Sequence, residues 1–458
     1  MKYYLVHYSD VKALDDFRLD SEYWHPDFIK NSQLVSTKIK VSDLIDPNID
    51  NIKSLHQNGD FEYLEISNIS PYNYKTQTVN FEDAPSRAYY VLKKQDVVVS
   101  TVRPNRNAVA YIQSDNIIGS SGLCVLRAKG IEPQYLYAFC KTKYFIDCLV
   151  RANKASMYPA VSNSDILNTA ILVPSDFLRN EIKKVISSVI DNQKIADKKF
   201  FEAQDLVISE LNLTRWNPHR QPIIRSYNEV KEKERFDAEY FHPEKYHYLE
   251  QINNLAGDVI DHHFEIIQDM LDPTRITTSE EVYNYDLTDA LRYFLDNDVE
   301  LIEASELGSN KKQFTKGDIV VSRLRSYLKE IAIVSTQPDH KCVGSSEFIV
   351  FRPRTNKVRP EILLVYLRSE PVQSIIKWCQ NGSNHPRFDE VELQSLKLPT
   401  CLLNIQDKVA DIIQDGIDAY QKSKQLLEIA KHAIEIAIEQ DENSAEIWLR
   451  NEVDKLDA

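Results

Sequence analysis

Residues 18–26 read RLDSEYWHP and residues 235–243 read RFDAEYFHP. Arg, Asp, Glu, Tyr, His and Pro hold the same places in both windows, and Trp24 is answered by Phe241. Asp20, Glu22 and His25, like Asp237, Glu239 and His242, are residue types that bind a metal or pass protons as acid and base. Used that way, the duplicated corner makes a metal-dependent nuclease. The Tyr, the second aromatic and the Pro beside them point instead to a packed corner with a hydrogen-bonded polar rim. In that reading the histidines are core or edge residues, and the chain has no catalytic residues and no metal. Two equivalent corners, 217 residues apart, must position something the chain needs twice.

The repeat continues to the end of the chain. LEISNI (64–69) is echoed by YDLTDA (285–290), QDVVVSTVRP (95–104) by GDIVVSRLRS (317–326), and GSSGLCVLR (119–127) by GSSEFIVFR (344–352). IEPQYLYAF (131–139) aligns with VRPEILLVY (358–366), and RANKASMYP (151–159) with CQNGSNHPR (379–387), matching Pro159 to Pro386. The offset drifts only from 217 to 227, so one module is written twice.

Each copy has the same layout. Val97–Ser100, Val109–Ile112, Ile319–Ser322 and Ile331–Val334 are short β-branched runs between polar turns and read as strands. Amphipathic stretches at 133–150 and 360–378 read as helices that start at or near proline. Glycine-poor helical segments follow at 177–211 and 404–440, and LNLTRWNPHRQP (211–222) is the join between copies. In the first long segment Ile182, Val189, Ala196 and Ala203 form one seven-residue column beside Ile186, Gln193, Phe200 and Val207. The second repeats it with Val409, Gly416, Ser423 and Ala430 beside Ile413, Tyr420, Leu427 and Ile434. A column of small residues next to one of large residues lets two helices approach with knobs in holes. The alternative is that each stripe packs only on its own domain. About thirty residues of helix span on the order of 45 Å, so a pair could act as a rigid spacer.

Composition narrows the classes. A chain of 458 residues exceeds one ordinary core, and 43 % apolar with 10 % aromatic residues suits a well-packed globular protein. No apolar run reaches bilayer length and no signal peptide is legible, so the expected compartment is the cytoplasm, with no membrane partner. Cys124, Cys140, Cys148, Cys342, Cys379 and Cys401 form no CxxC pair and read as reduced, mostly buried thiols. The net charge of −14 argues against a non-specific nucleic-acid coat but leaves room for a specific binder whose cations converge on one face. Part of the acidity is local, since residues 441–458 hold six acids against two bases. The chain has no GxxxxGK[ST], GxGxxG, HExxH, GxSxG or Asn/Asp-Pro-Pro-aromatic motif, so neither a cofactor loop nor methyl transfer by this chain is expected.

Two loop classes gather basic, amide, hydroxyl and aromatic residues. One follows the VVS strand, with Arg103 and Arg106 in the first copy and Arg323, Arg325 and Lys329 in the second. The other follows the helix, with Arg151, Lys154, Ser156 and Tyr158 in the first copy and Asn381, Ser383, Asn384, His385 and Arg387 in the second. These types hold phosphates and read base edges, Arg by bidentate contact to guanine or phosphate. The bland alternative for any one of them is a solvated loop.

In the order and duplication of these stretches the chain resembles the specificity subunit of a Type I restriction–modification system. The residues that carry the resemblance are the two corners, DVVVSTVRP and DIVVSRLRS, and the LVPSDFLRNEI and KLPTCLLNIQDKV leads into the long helices. Pro174 and Pro399 keep the family's proline there, while Asn180-Glu181 and Ile405-Gln406 only approximate its Glu-Gln. The resemblance implies an α+β fold of tandem modules, each a mixed target-recognition domain followed by a long helix, the two helices pairing as an antiparallel coiled-coil spacer. The expected division is 1–175 and 234–402 for the two target-recognition domains, and 176–212 and 403–440 for the spacer helices. A linker at 213–233 and an acidic tail at 441–458 complete it. It also implies a non-catalytic subunit that reads a split site in double-stranded DNA. Two methyltransferase subunits that use S-adenosylmethionine dock on the helices, with translocating nuclease subunits as a further partner. The alternatives are the metal-dependent nuclease named above and a protein-binding scaffold of another defence complex.

Overall fold

The computed structural model describes residues 6–12, 17–35, 37–54, 59–153, 159–218, 224–276, 279–296, 299, 301–336 and 339–457. The chain forms two compact units, Met1–Lys194 with Ala419–Ala458, and Ile195–Asp418. The division falls inside both long helices and not at the 211–222 join.

In the first unit the Val-rich run forms the strand Val97–Ser100, buried on both faces. It pairs antiparallel with Val109–Tyr111 on one side and Leu123–Ala128 on the other, and Ile45–Asp46 completes the sheet. A second four-stranded sheet orders Gln77–Asn80, Asp60–Leu64, Ile117–Ser120 and Ala88–Leu92, with one parallel pair. The second unit repeats the first sheet as Phe264–Ile266, Phe348–Pro353, Ile319–Ser322 and Ile331–Ile333. A five-stranded sheet orders Met270–Leu271, Lys311–Phe314, Lys341–Gly344, Glu281–Tyr285 and Leu301–Glu303, and Gly257–Val259 pairs with Lys397–Pro399 in a third sheet. Each fully buried Val or Ile in the central strands is worth about 1.5–3 kcal/mol of apolar burial.

One ion pair recurs inside each sheet. Asp96, 1 % exposed, accepts from Arg127 Nε at 2.9 Å and Nη2 at 2.8 Å, and Asp318, also 1 % exposed, accepts from Arg352 at 2.8 and 2.7 Å. The bidentate fork ties the start of the central strand to the end of its neighbour. Asp96 also accepts the Lys93 N–H and Asp318 the Thr315 N–H, both at 2.8 Å, so one buried carboxylate closes turn and sheet together.

Each amphipathic stretch is two helices, not one. Pro133–Lys141 and Lys143–Ala152 are separated by Thr142, and Pro360–Arg368 and Glu370–Lys377 by Ser369. Both separators are extended, and each hydroxyl donates back to the helix behind it, Thr142 to Phe139 O at 2.7 Å and Ser369 to Tyr366 O at 2.6 Å. Such local side-chain bonds compete with helix continuation.

The long helices are Asp176–Leu211 and Gln406–Glu439, and all sixteen residues of the heptad columns are buried. In the first unit Ile182, Ile186 and Val189 share one core with Leu427, Ala430 and Ile434. In the second unit Lys199 pairs with Asp415 at 2.8 Å and Phe200 faces Gly416. Ascending positions of one helix meet descending positions of the other, so the helices pair antiparallel. The acidic segment is itself a helix, Glu442–Asp457, with Ala445 and Leu449 in the first unit's core. Glu442 accepts the Ser175 N–H at 3.0 Å beside the start of the first long helix. Among the described residues no helix is long and apolar enough to cross a membrane.

Candidate nucleic-acid interface

The central strand of each module ends in a serine that redirects the chain. Ser100 Oγ donates to Val102 O at 2.8 Å and Ser322 Oγ to Leu324 O at 3.0 Å. The next residues, Arg103 (φ 51°, ψ 61°) and Arg325 (φ 50°, ψ 60°), are left-handed, and so are Asn107 (φ 50°) and Lys329 (φ 54°) four residues on. Each such non-glycine costs about 1–2 kcal/mol, and it persists only where the surroundings fix it. Here the Arg103 N–H donates to Pro159 O at 2.7 Å and the Arg325 N–H to Pro386 O at 2.9 Å. The bridges Val102–Ala160 and Leu324–Arg387 extend the contact. The two loop classes are therefore brought together in each module, edge to edge.

A buried cation fixes the far end of each arginine loop. Lys141, the last residue of its helix and 2 % exposed, donates from Nζ to Asn107 O at 3.2 Å and to Pro71 O at 2.5 Å. Its counterpart Arg368, 6 % exposed, donates to Lys329 O at 3.0 Å, Ile331 O at 2.5 Å, Arg292 O at 3.3 Å and Leu291 O at 3.2 Å. In both modules the carbonyl gripped is that of the left-handed residue closing the loop. Burial pushes the Lys141 ammonium down to about 7, against two carbonyl acceptors that favour its charged form.

The duplicated corner holds the other loop class. Arg18 forks onto Asp20 at 2.7 and 2.9 Å and donates to the carbonyls of Arg151, Ala152 and Asn153 at 3.5, 3.2 and 2.8 Å. Arg235 forks onto Asp237 at 2.6 and 3.0 Å and donates to Cys379 O at 3.5 Å and Gln380 O at 3.1 Å. Each arginine thus satisfies the bare carbonyls at the end of the helix that leads into the loop. The aspartates also accept the Tyr23 and Tyr240 N–H groups, both at 2.9 Å, and the bond from the neighbouring arginine holds each carboxyl below the usual carboxylate range. His242 stacks on Trp378 at 3.7 Å, and its Nδ1 accepts the Glu244 N–H at 3.3 Å. Glu22, His25 and Glu239 are exposed. Among the described residues no group of three or more His, Cys, Asp or Glu is gathered to hold a metal.

The candidate contact residues fall into distinct environments. Arg103 is half-buried and Arg106 exposed, and neither side chain forms a hydrogen bond or ion pair among the described residues. Arg151 turns back to the corner, donating to Tyr23 O and Ser32 Oγ, both at 3.0 Å, with its guanidinium 4.3 Å over the Tyr23 ring. Lys154, Ser156 and Tyr158 lie outside the described residues. In the second module Asn381 and Arg387 exchange backbone bonds of 2.7 and 2.9 Å, closing a hairpin in which Gly382 is left-handed. Its Ser383, Asn384 and His385 are exposed, as is Lys329. Arg325 Nη2 lies 2.9 Å from His385 Nδ1. Arg387 forks onto Glu347, Nη2 to Oε1 at 2.7 Å and Nε to Oε2 at 3.1 Å, and Arg323 Nε is ion-paired with the same carboxylate at 3.2 Å. Arg387 first, and Arg323 with it, hold the Glu347 carboxyl below its ordinary range.

The sequence reading passed over Lys141, Arg368, Glu347 and the buried Asp–Arg forks. Aspartate heads both VVS strands and arginine ends both GSS segments, so the signal for the forks lies in the repeat itself. The matched cations at the ends of IEPQYLYAFCK and VRPEILLVYLR were legible at the same offset of 227.

Residues 276–431 match the family model for the Type I restriction modification DNA specificity domain. The chain is 29 % identical over 102 residues to the putative type I restriction enzyme MjaX specificity subunit of Methanocaldococcus jannaschii, covering 22 % of this chain and 24 % of that one. It is 31 % identical over 134 residues to the type I restriction enzyme HindI specificity subunit of Haemophilus influenzae, covering 28 % of each. The matched stretches therefore span about a quarter of these relatives. Among solved structures, the HsdS subunit of Thermoanaerobacter tengcongensis aligns over 88 % of this chain and 96 % of its own at 17 % identity and a TM-score of 0.32. The Type-I restriction-modification S subunit of M. genitalium aligns over 88 % and 94 % at 13 % identity and a TM-score of 0.36.

Proposed function

We propose that this chain is a member of the Type I restriction–modification specificity-subunit family, that it reads a split target in double-stranded DNA and that it catalyses nothing itself. The observation that carries the reading is the joining of the two loops in each module through Arg103 N–H to Pro159 O and Arg325 N–H to Pro386 O. A strained arginine loop held on three sides is pre-organised to meet a groove without loss of loop entropy on binding. The first module presents Arg103 and Arg106 to one half-site, and the second presents Arg323, Arg325 and Asn384 to the other. The halves differ because the facing residues differ. Where the second module has Arg323, Glu347 and Arg387, the first has Thr101, Gly122 and Ala160.

Two methyltransferase subunits carrying S-adenosylmethionine dock on the helices, and a translocating nuclease subunit completes a restriction assembly. The net charge of −14 fits a chain whose partners supply much of the positive surface. Mapping modified adenines in host DNA, with and without this chain, tests the reading. A split motif that appears only with the chain is the expected result. No motif, and no duplex enriched from a random pool with the cognate methyltransferase present, would end it.

A further inference from the structure

We infer that Glu347 is a specificity-determining residue of the second module, holding Arg323 and Arg387 as a fixed donor group that takes the major-groove edge of a guanine. The inference rests on the DNA-reading function proposed above and names the base that one half of the target must contain.

Three chain segments converge on this carboxylate. Arg323 comes from the strand-end loop and Arg387 from the hairpin joined to it. Glu347 lies in the turn between the strands Lys341–Gly344 and Phe348–Pro353. Its backbone carbonyl accepts the Arg323 N–H at 3.1 Å, and its side chain takes Arg387 Nη2 at 2.7 Å and Arg323 Nε at 3.2 Å. The charge balance decides what the cluster can bind. A phosphate anchor wants cations without a competing anion, and here a carboxylate, kept ionised by its own partners, cancels one of the two positive charges. A base edge needs aimed donors, not net charge. Guanine presents two acceptors, O6 and N7, in the major groove, and a bidentate guanidinium is the commonest group that reads them. Arg323 is 39 % exposed, and its Nη groups carry no other hydrogen bond among the described residues. Its ion pair limits the side-chain freedom that binding must otherwise remove.

At the matching positions the first module has no such cluster. Thr101, Gly122 and Ala160 carry no charge, and Thr101 donates its backbone N–H and its hydroxyl to Gly122 O at 3.0 and 2.8 Å. A Cβ at Gly122 would lie 2.5 Å from Ile66 Cδ1, so a glutamate there would require that side chain to move. The carboxylate-clamped arginines are confined to one half of the target.

The test uses the full chain assembled with its methyltransferase, carrying Glu347→Gln or, separately, Arg323→Lys, and maps the methylated adenines. Glutamine keeps the shape without the ion pairs, and lysine keeps the charge without the fork. In each folded variant one half of the motif should stay intact. In the other half a single G·C position should lose roughly tenfold or more of its discrimination. An unchanged motif in both variants, relaxation at an A·T position, or relaxation in both halves would overturn the assignment. Absence of any split motif with the unaltered chain would remove the DNA-reading function itself, which is a different failure.

Discussion

The Nζ of Lys141 lies 3.2 Å from the carbonyl oxygen of Asn107, and that carbonyl belongs to a residue held in the left-handed conformation. A helix-end cation therefore decides where the first arginine loop closes. The second module solves the same problem with Arg368 on Lys329 O. The two cations differ in one respect, because only lysine can be neutralised at accessible pH.

That difference predicts a pH signature. Burial brings Lys141 down to about 7, whereas an unfolded lysine titrates near 10.4, so between these values the unfolded chain binds the extra proton. Stability therefore rises with pH across that window, and below about 7 the full penalty of a buried ammonium applies. Lys141→Arg stays charged throughout and should remove the rise. The Lys-minus-Arg difference in unfolding midpoint at pH 6.5, 8 and 9.5 isolates the effect. It cancels buried thiols such as Cys124, pushed up to about 12, which act in the opposite direction. Parallel profiles for the two proteins would show that Lys141 keeps its proton.

Asp96→Asn and Asp318→Asn should each destabilise their own unit by about 3 kcal/mol, because an almost fully buried carboxylate leaves a guanidinium without its partner. Arg127 and Arg352 side chains are 17 % and 33 % exposed, so Asp96→Asn should be the more damaging. Urea unfolding of the single variants ranks them, and a reversed order would mean that solvent does not relieve the orphaned arginine.

Gly416→Ala sets two effects against each other. Alanine normally stabilises a helix interior over glycine by about 1 kcal/mol. At this position the new Cβ would lie 2.8 Å from the Phe200 ring, which is stacked on Tyr293 at 4.3 Å and cannot simply retreat. Overpacking of about 1–3 kcal/mol should win and leave the variant less stable. Phe200→Leu in the same chain should recover part of the loss. A gain in stability for Gly416→Ala alone would show that the ring yields.

Arg235→Ala should free the carbonyls of Cys379 and Gln380 and speed hydrogen exchange of the amides that follow, while the central sheet keeps its protection. The Arg235 bond lowers the Asp237 pKa, so its stabilisation is present above about 3.9 and fades as pH falls through the lower folded value. The variant should accordingly lose less of its remaining stability than the parent between pH 5 and 3. Unchanged exchange rates beside the hairpin would remove the corner from any role in holding it.

The parts of the molecule legible in the sequence were those written in periodic or repeated form. The β-branched runs became Val97–Ser100 and Ile319–Ser322, and the heptad columns became the buried faces of the long helices. The breaks at Thr142 and Ser369 were not legible, because a continuous apolar pattern hides a single extended residue between two helices. Pairing of the two loop classes depended on backbone bonds that follow from the left-handed Arg103 and Arg325, and nothing in an Arg-Pro or Arg-Ser dipeptide announces that conformation. Arg151 illustrates the limit at the site. Its residue type suited a phosphate, yet Tyr23 and Ser32 engage it from a segment more than a hundred positions away.

The first unit is assembled from residues at both ends of the chain, whereas the second is a single continuous stretch. On a ribosome, the strands that emerge first must wait with part of their apolar surface uncovered until Leu426–Ile438 and the helix after it have been made. The later-synthesised unit has all its pieces first. Synthesis order and completion order are thus inverted. An interrupted chain would hold every residue of the second unit but only part of the first, whose apolar surface would stay uncovered.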